Sequence, residues 1–174
     1  MGNGLRWATA AALMVAAATA GCGGGAAARR PAPALVLPAL DGGDIDLRRY
    51  RGRVVVLHFF ATWAMDAETD IDQLTAARAG HGDELVVIGV AFDPDGHRVV
   101  APWRSARKVS YLVALASDDL RGGHTGFGGI GVPTTVVIDR EGMVVARVDG
   151  PLPAGRLDRL LADAGLTTNR AGPR

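Results

Sequence analysis

A mixed α/β sheet flanked by helices and entered through an N-terminal β-hairpin is the fold class that the sequence predicts. Three observations carry it. Almost continuous apolar, β-branched runs at 53–60 and 85–91 read as central strands buried on both faces. A helical pattern follows each run, and a strand, tight turn, strand and helix close the chain between 134 and 164. The 174 residues carry 19 basic and 18 acidic groups and are 48% hydrophobic, which fits one ordinary domain with its own core. A charge so near zero gives no footprint for nucleic acid. The single cysteine, Cys22, excludes an intramolecular disulfide, a dithiol redox centre and a Cys-rich zinc site.

The elements follow in order. Arg6 precedes an uncharged, Ala-rich run over 7–20, too short for a spanning helix and ending in small residues, so residues 1–21 read as a signal peptide. Removing them takes away only Arg6 and leaves equal numbers of basic and acidic groups. Residues 22–34 mix flexible glycines with stiff prolines and read as a tether, with the domain over 35–167 and a loose tail over 168–174. Residues 35–37 and 40–47 read as two short strands around Gly42-Gly43. After the strand at 53–60, Asp66 offers a cap for a helix through Ala79, with Ala67, Ile71, Leu74 and Ala77 on one face and Gly80 as the stop. Beyond the strand at 85–91, Asp93-Pro94-Asp95-Gly96 is a turn into a helix over 97–108, where Pro102 disturbs the middle or marks a late start. Residues 111–116 and 134–138 read as strands, 139–142 as a hairpin turn into 143–148, and 154–164 as an amphipathic helix. This order calls for helices on both sides of the sheet.

Four motifs, Leu40-Asp41-Gly42 with Leu47, Gly52-Arg53-Val54-Val55-Val56-Leu57, Phe59-Phe60-Ala61-Thr62-Trp63, and Gly131-Val132-Pro133-Thr134 through Asp139, occur here in one chain and in this order. Together they resemble the TlpA/ResA group of membrane-tethered thioredoxin-like proteins, over roughly residues 35–166. The resemblance implies a thioredoxin-like fold and an extracytoplasmic thiol-disulfide oxidoreductase family. Thr19-Ala20-Gly21-Cys22 resembles the bacterial lipobox, with Thr19 departing from the usual Leu. That resemblance implies acylation of Cys22 and a lipid anchor to a bacterial membrane; an ordinary secretory signal or an uncleaved anchor are the alternatives.

The chain departs from the group at its reactive centre. Where the group carries a Cys-x-x-Cys pair, this sequence has Ala64-Met65-Asp66-Ala67. Disulfide exchange needs a thiolate at a helix N-terminus and a second thiol to resolve the mixed disulfide, and alanine supplies neither. No thiol redox activity is therefore expected, and peroxidase chemistry fails for want of a thiol. Copper chaperones of the same tethered fold also need cysteines that are absent here.

The resemblance further implies that Pro133 is a cis-proline whose preceding backbone pairs with an extended peptide; its other role is architectural. Trp63, Met65, Val132 and Pro133 are the candidate contacts of such a groove, with an extracytoplasmic protein or peptide as partner, although Trp63 serves equally well in packing. His58 stands where the resemblance places a buried acid or Asn; it reads as a hydrogen-bonded core histidine before a proton acceptor or ligand, and an enzyme with non-thiol chemistry or metal binding around it is the alternative function. No cofactor, metal or nucleic acid is called for. Asp66, Glu68, Asp70 and Asp72 read as a solvated acidic helix start. The Arg48-Arg49-Tyr50-Arg51-Gly52-Arg53 stretch suits lipid headgroups or an acidic partner, and the glycines over 122–131 read as a mobile loop without a P-loop's Gly-Lys-Ser/Thr. No Gly-x-Ser-x-Gly elbow supports a hydrolase.

Overall fold

A computed structural model describes residues 29–64 and 67–167. The expected signal segment, Cys22, Met65, Asp66 and the tail over 168–174 lie outside the described residues. Among the described residues eight strands are formed: β1 (Arg30–Pro31), β2 (Val36–Pro38), β3 (Asp44–Asp46), β4 (Val54–Phe60), β5 (Leu85–Ala91), β6 (Leu112–Leu115), β7 (Thr134–Ile138) and β8 (Met143–Asp149). Four α-helices accompany them: α1 (Ala67–His81), α2 (His97–Ala106), α3 (Asp118–Arg121) and α4 (Arg156–Asp163).

The main sheet runs β1-β8-β7-β4-β5-β6, with β2 and β3 pairing as a separate hairpin. Strands β4, β5 and β6 are parallel, while β7 is antiparallel to β4 and β8 to β7. Every residue of β4 and β5 is buried, as their unbroken apolar runs require. Alternation splits β4 between two cores. Val54, Val56 and Phe60 join Ile71 and Leu74 of α1, Val100 of α2 and Leu157, Leu160 and Leu161 of α4. Val55, Leu57 and Phe59 face Leu35, Leu37, Ile45 and Leu47 of the hairpin region, with Leu120 of α3 and Phe127. The expectation of helices on both sides is therefore met unevenly. Both parallel crossovers step the same way across the sheet, and right-handed connections then place α1 and α2 on one face.

Several boundaries differ from the sequence reading. The tether expected to reach residue 34 ends earlier, because Arg30–Pro31 adds to the edge of β8 and the Ala32 N–H donates to the Gly142 carbonyl at 2.9 Å. An edge strand bonds on one side only, so Pro31, without an N–H, is tolerated there. The second hairpin strand is confined to Asp44–Asp46; Leu47–Tyr50 forms a 3-10 turn, where the Asp46 carboxylate accepts the Arg48 N–H at 3.0 Å. Helix α1 passes through Gly80 and ends at His81, and the turn is made by Gly82 at φ 52°. Pro102 sits inside α2 without breaking it. Helix α3, a single turn, has no counterpart in the sequence pattern; Ser117 caps it by accepting the Leu120 N–H. The glycine loop is pinned where Arg147 donates to the carbonyls of Phe127 (2.7 Å) and Gly129 (2.8 Å). Among the described residues no helix is long and apolar enough to cross a membrane.

Candidate functional site

The site forms where β4 leaves the sheet. The parallel register sets Phe60 beside Ala91, so the residues following each strand emerge together. Phe92 N–H donates to the Phe60 carbonyl at 2.8 Å, and Asp93, two residues past β5, reaches across to Thr62. Its carboxylate accepts the Thr62 amide at 3.0 Å and the Thr62 hydroxyl at 2.5 Å. Asp93 is buried, so this clamp works in a low-dielectric setting and holds the segment 61–64 in one shape. The Ala64 N–H closes the turn onto the Ala61 carbonyl at 3.1 Å. Trp63 projects from that turn and is 67% exposed, the most exposed large apolar side chain described. Ala64 is half-buried, and Ala67 is the first residue of α1.

On the other side, β7 runs antiparallel to β4 with Thr134 opposite Phe59. Continuing that register brings Pro133 and Val132 abreast of Phe60 and Ala61. The Val132–Pro133 bond is cis, Pro133 is buried and Val132 half-buried. The Pro133 carbonyl accepts the Gly150 N–H at 2.8 Å, and the Thr134 hydroxyl donates to the Gly131 carbonyl at 2.7 Å. Between them, the backbone N–H and carbonyl of Val132 make no hydrogen bond among the described residues.

His58 lies lower on β4, fully buried, with Nδ1 3.1 Å from the Thr135 hydroxyl and its ring parallel to Phe60 at 6.1 Å. Nε2 has no partner among the described residues. Burial pushes the imidazole down to about 4, so it is neutral at physiological pH.

Asp70 corrects the expectation of a solvated acidic face: it is fully buried and accepts the Leu152 N–H at 2.9 Å, whereas Asp72 is exposed. Its position one residue before Ile71 and four before Leu74 places it on the apolar stripe of α1, a signal that its charge obscured. Burial and then the Asp70 charge push the Tyr111 hydroxyl up. In the sequence Asp93 reads only as part of a turn, and nothing local announces that it reaches Thr62.

The structure thus brings Trp63, Ala64, Val132 and Pro133 to one end of the sheet; Met65 lies outside the described residues. Fold and site define a thioredoxin-like protein: a mixed sheet with a helix starting just after β4 and a cis-proline opening the neighbouring strand. The chain belongs to the AhpC/TSA family, whose profile matches residues 28–147. It is similar to the thiol-disulfide oxidoreductase ResA of Bacillus thuringiensis subsp. konkukian, with 26% identity over 134 residues covering 76% of this chain and 75% of that one. A peroxiredoxin candidate of Mycobacterium tuberculosis is 27% identical over 152 residues, covering 76% and 90%. Among solved structures, a thiol:disulfide interchange protein of the thioredoxin family from Chlorobium tepidum superposes with a TM-score of 0.68 at 25% identity, covering 79% of this chain and 97% of that one.

Proposed function

We propose that this chain is a membrane-tethered, extracytoplasmic member of the family that does not exchange disulfides and instead holds an extended polypeptide beside Trp63 and the Val132–Pro133 segment. The observation that carries the reading is the pair Ala64 and Ala67 around the turn into α1, in a chain whose single cysteine is Cys22. A ResA-like reaction needs a nucleophilic thiolate and a resolving thiol there. What supports binding is the backbone of Val132, unpaired among the described residues and so a donor and acceptor for strand addition, at the same end of the sheet as the exposed indole of Trp63. The lipobox-like residues at Cys22 support the anchor.

Non-thiol chemistry around His58 has less support, because a fully buried imidazole stacked against Phe60 offers no surface to a substrate.

The test is dithiothreitol-dependent insulin reduction. The wild-type chain is expected at the uncatalysed rate, while Ala64→Cys/Ala67→Cys, which places a thiol pair before and at the start of α1, gains activity. Wild-type turnover above the heat-denatured control refutes the redox part. For binding, a protein from envelope extract retained by the wild type and lost by a folded Trp63→Ala/Pro133→Ala variant is expected; equal retention refutes the groove.

A further inference from the structure

The arginine-rich turn noted in the sequence takes on a definite place in the fold. Arg48, Arg49, Arg51 and Arg53 surround Tyr50 on the segment that leads into β4. The β7–β8 turn packs against it: the Gly52 N–H donates to the Arg140 carbonyl at 2.9 Å, and Arg51 donates to the Glu141 carbonyl. Arg51 lies so close over Gly142, whose φ is 76°, that any side chain there would collide with the guanidinium. Between these turns and the incoming chain lies a cleft of about 150 Å³, walled by Pro33, Leu47, Tyr50, Val55 and Ile138 with Arg48 and Arg51 along it.

The charges at this end are only partly balanced. Arg29 pairs with Asp139, Arg48 with Asp46 and Arg140 with Glu84. Among the described residues Arg49, Arg51 and Arg53 have no carboxylate partner: Arg49 is exposed, Arg51 meets a carbonyl, and Arg53 lies 5.3 Å from the Tyr50 ring centroid. Two exposed carboxylates near this cluster form no ion pair among the described residues: Asp44, four positions before Arg48, and Glu141, whose carbonyl Arg51 meets.

Two geometric facts say what such a surface would face. Cys22 is seven residues from Arg29, and Arg29 is bound to Asp139 at the mouth of the cleft, so an anchor at Cys22 holds this end within roughly 24 Å of the bilayer. Trp63 and the Val132–Pro133 segment lie at the opposite end of β4, whose ends are six steps of about 3.3 Å, or roughly 20 Å, apart. We propose that Arg49, Arg51 and Arg53, with the apolar cleft beneath Tyr50, form a docking surface for an anionic lipid bilayer that turns the groove away from the membrane. The inference rests on the tethered reading above. The anchor supplies attachment, and the arginines supply orientation by attraction to anionic headgroups.

The experiment measures partitioning of the full chain carrying Cys22→Ser onto vesicles of phosphatidylcholine alone or with about a third phosphatidylglycerol. The apolar run over 7–20 contributes to both, so the readout is the ratio between them. Binding at least tenfold tighter on anionic vesicles is expected, lost in about 0.5 M salt and lost in Arg49→Gln/Arg51→Gln/Arg53→Gln. Arg49→Glu, at an exposed side chain with no hydrogen bond or ion pair among the described residues, gives the same direction if the triple variant misfolds. No preference for anionic vesicles, or a preference unchanged by these variants, overturns the proposal. Arg-dependent binding to polyglutamate without a vesicle preference also overturns it, in favour of an acidic protein partner. Palmitate labelling of the wild-type chain separates the two readings. Labelling without a vesicle preference refutes the docking surface alone, and a preference without labelling supports the surface while refuting the tether.

Discussion

Lowering the pH from 7.5 to 4.5 should cost this domain about 2–3 kcal/mol through His58 alone. The imidazole is fully buried on β4, and desolvation takes its pKa from 6.5 in the unfolded chain to about 4 in the fold. Between those values the unfolded chain binds a proton that the folded one refuses. Stability from the neutral imidazole is therefore complete above pH 6.5 and is lost as pH falls toward 4. With one pKa unit worth about 1.4 kcal/mol, the full displacement is about 3 kcal/mol, of which most falls within the window. The assay is urea unfolding at a series of pH values for the wild type and for His58→Asn, which does not titrate. Carboxylates contribute alike to both chains, so the difference between the two curves isolates the histidine. Whatever the variant costs at pH 7.5, its stability should fall less steeply on acidification. Parallel curves would refute the claim that a neutral, desolvated imidazole sits in the core.

Thr62→Val should cost about 1–3 kcal/mol by leaving the buried Asp93 carboxylate short of a 2.5 Å hydroxyl donor, read as a lower urea midpoint. The same change should loosen the 61–64 turn, seen as faster amide exchange at Ala64. Arg147→Ala should release the carbonyls of Phe127 and Gly129, lowering exchange protection across 122–131 and stability by about 1–2 kcal/mol; unchanged protection would show that the loop holds its shape without Arg147.

Sequence alone determined those features whose cause is local. The valine-rich runs of β4 and β5 read as buried strands, because His58 is the one polar side chain in them and both faces must be covered. That the chain carries a single cysteine, Cys22, and alanine at positions 64 and 67 is likewise plain from the sequence, since no fold can supply a missing sulfur. Tertiary structure decided whatever depends on partners distant along the chain. Thr62 meets Asp93 across 31 positions and Asp70 meets Leu152 across 82, so a turn residue became a clamp and a presumed surface acid became a core acceptor. Arg30–Pro31 read as tether until β8 offered an edge more than a hundred residues away. The arginines over 48–53 were visible as a charge run, but only the packing of the β7–β8 turn showed which are neutralised and at which end of the sheet they lie. Local preference acts through neighbours in the chain, whereas burial and pairing act through neighbours in space, and at this site the second set does most of the positioning.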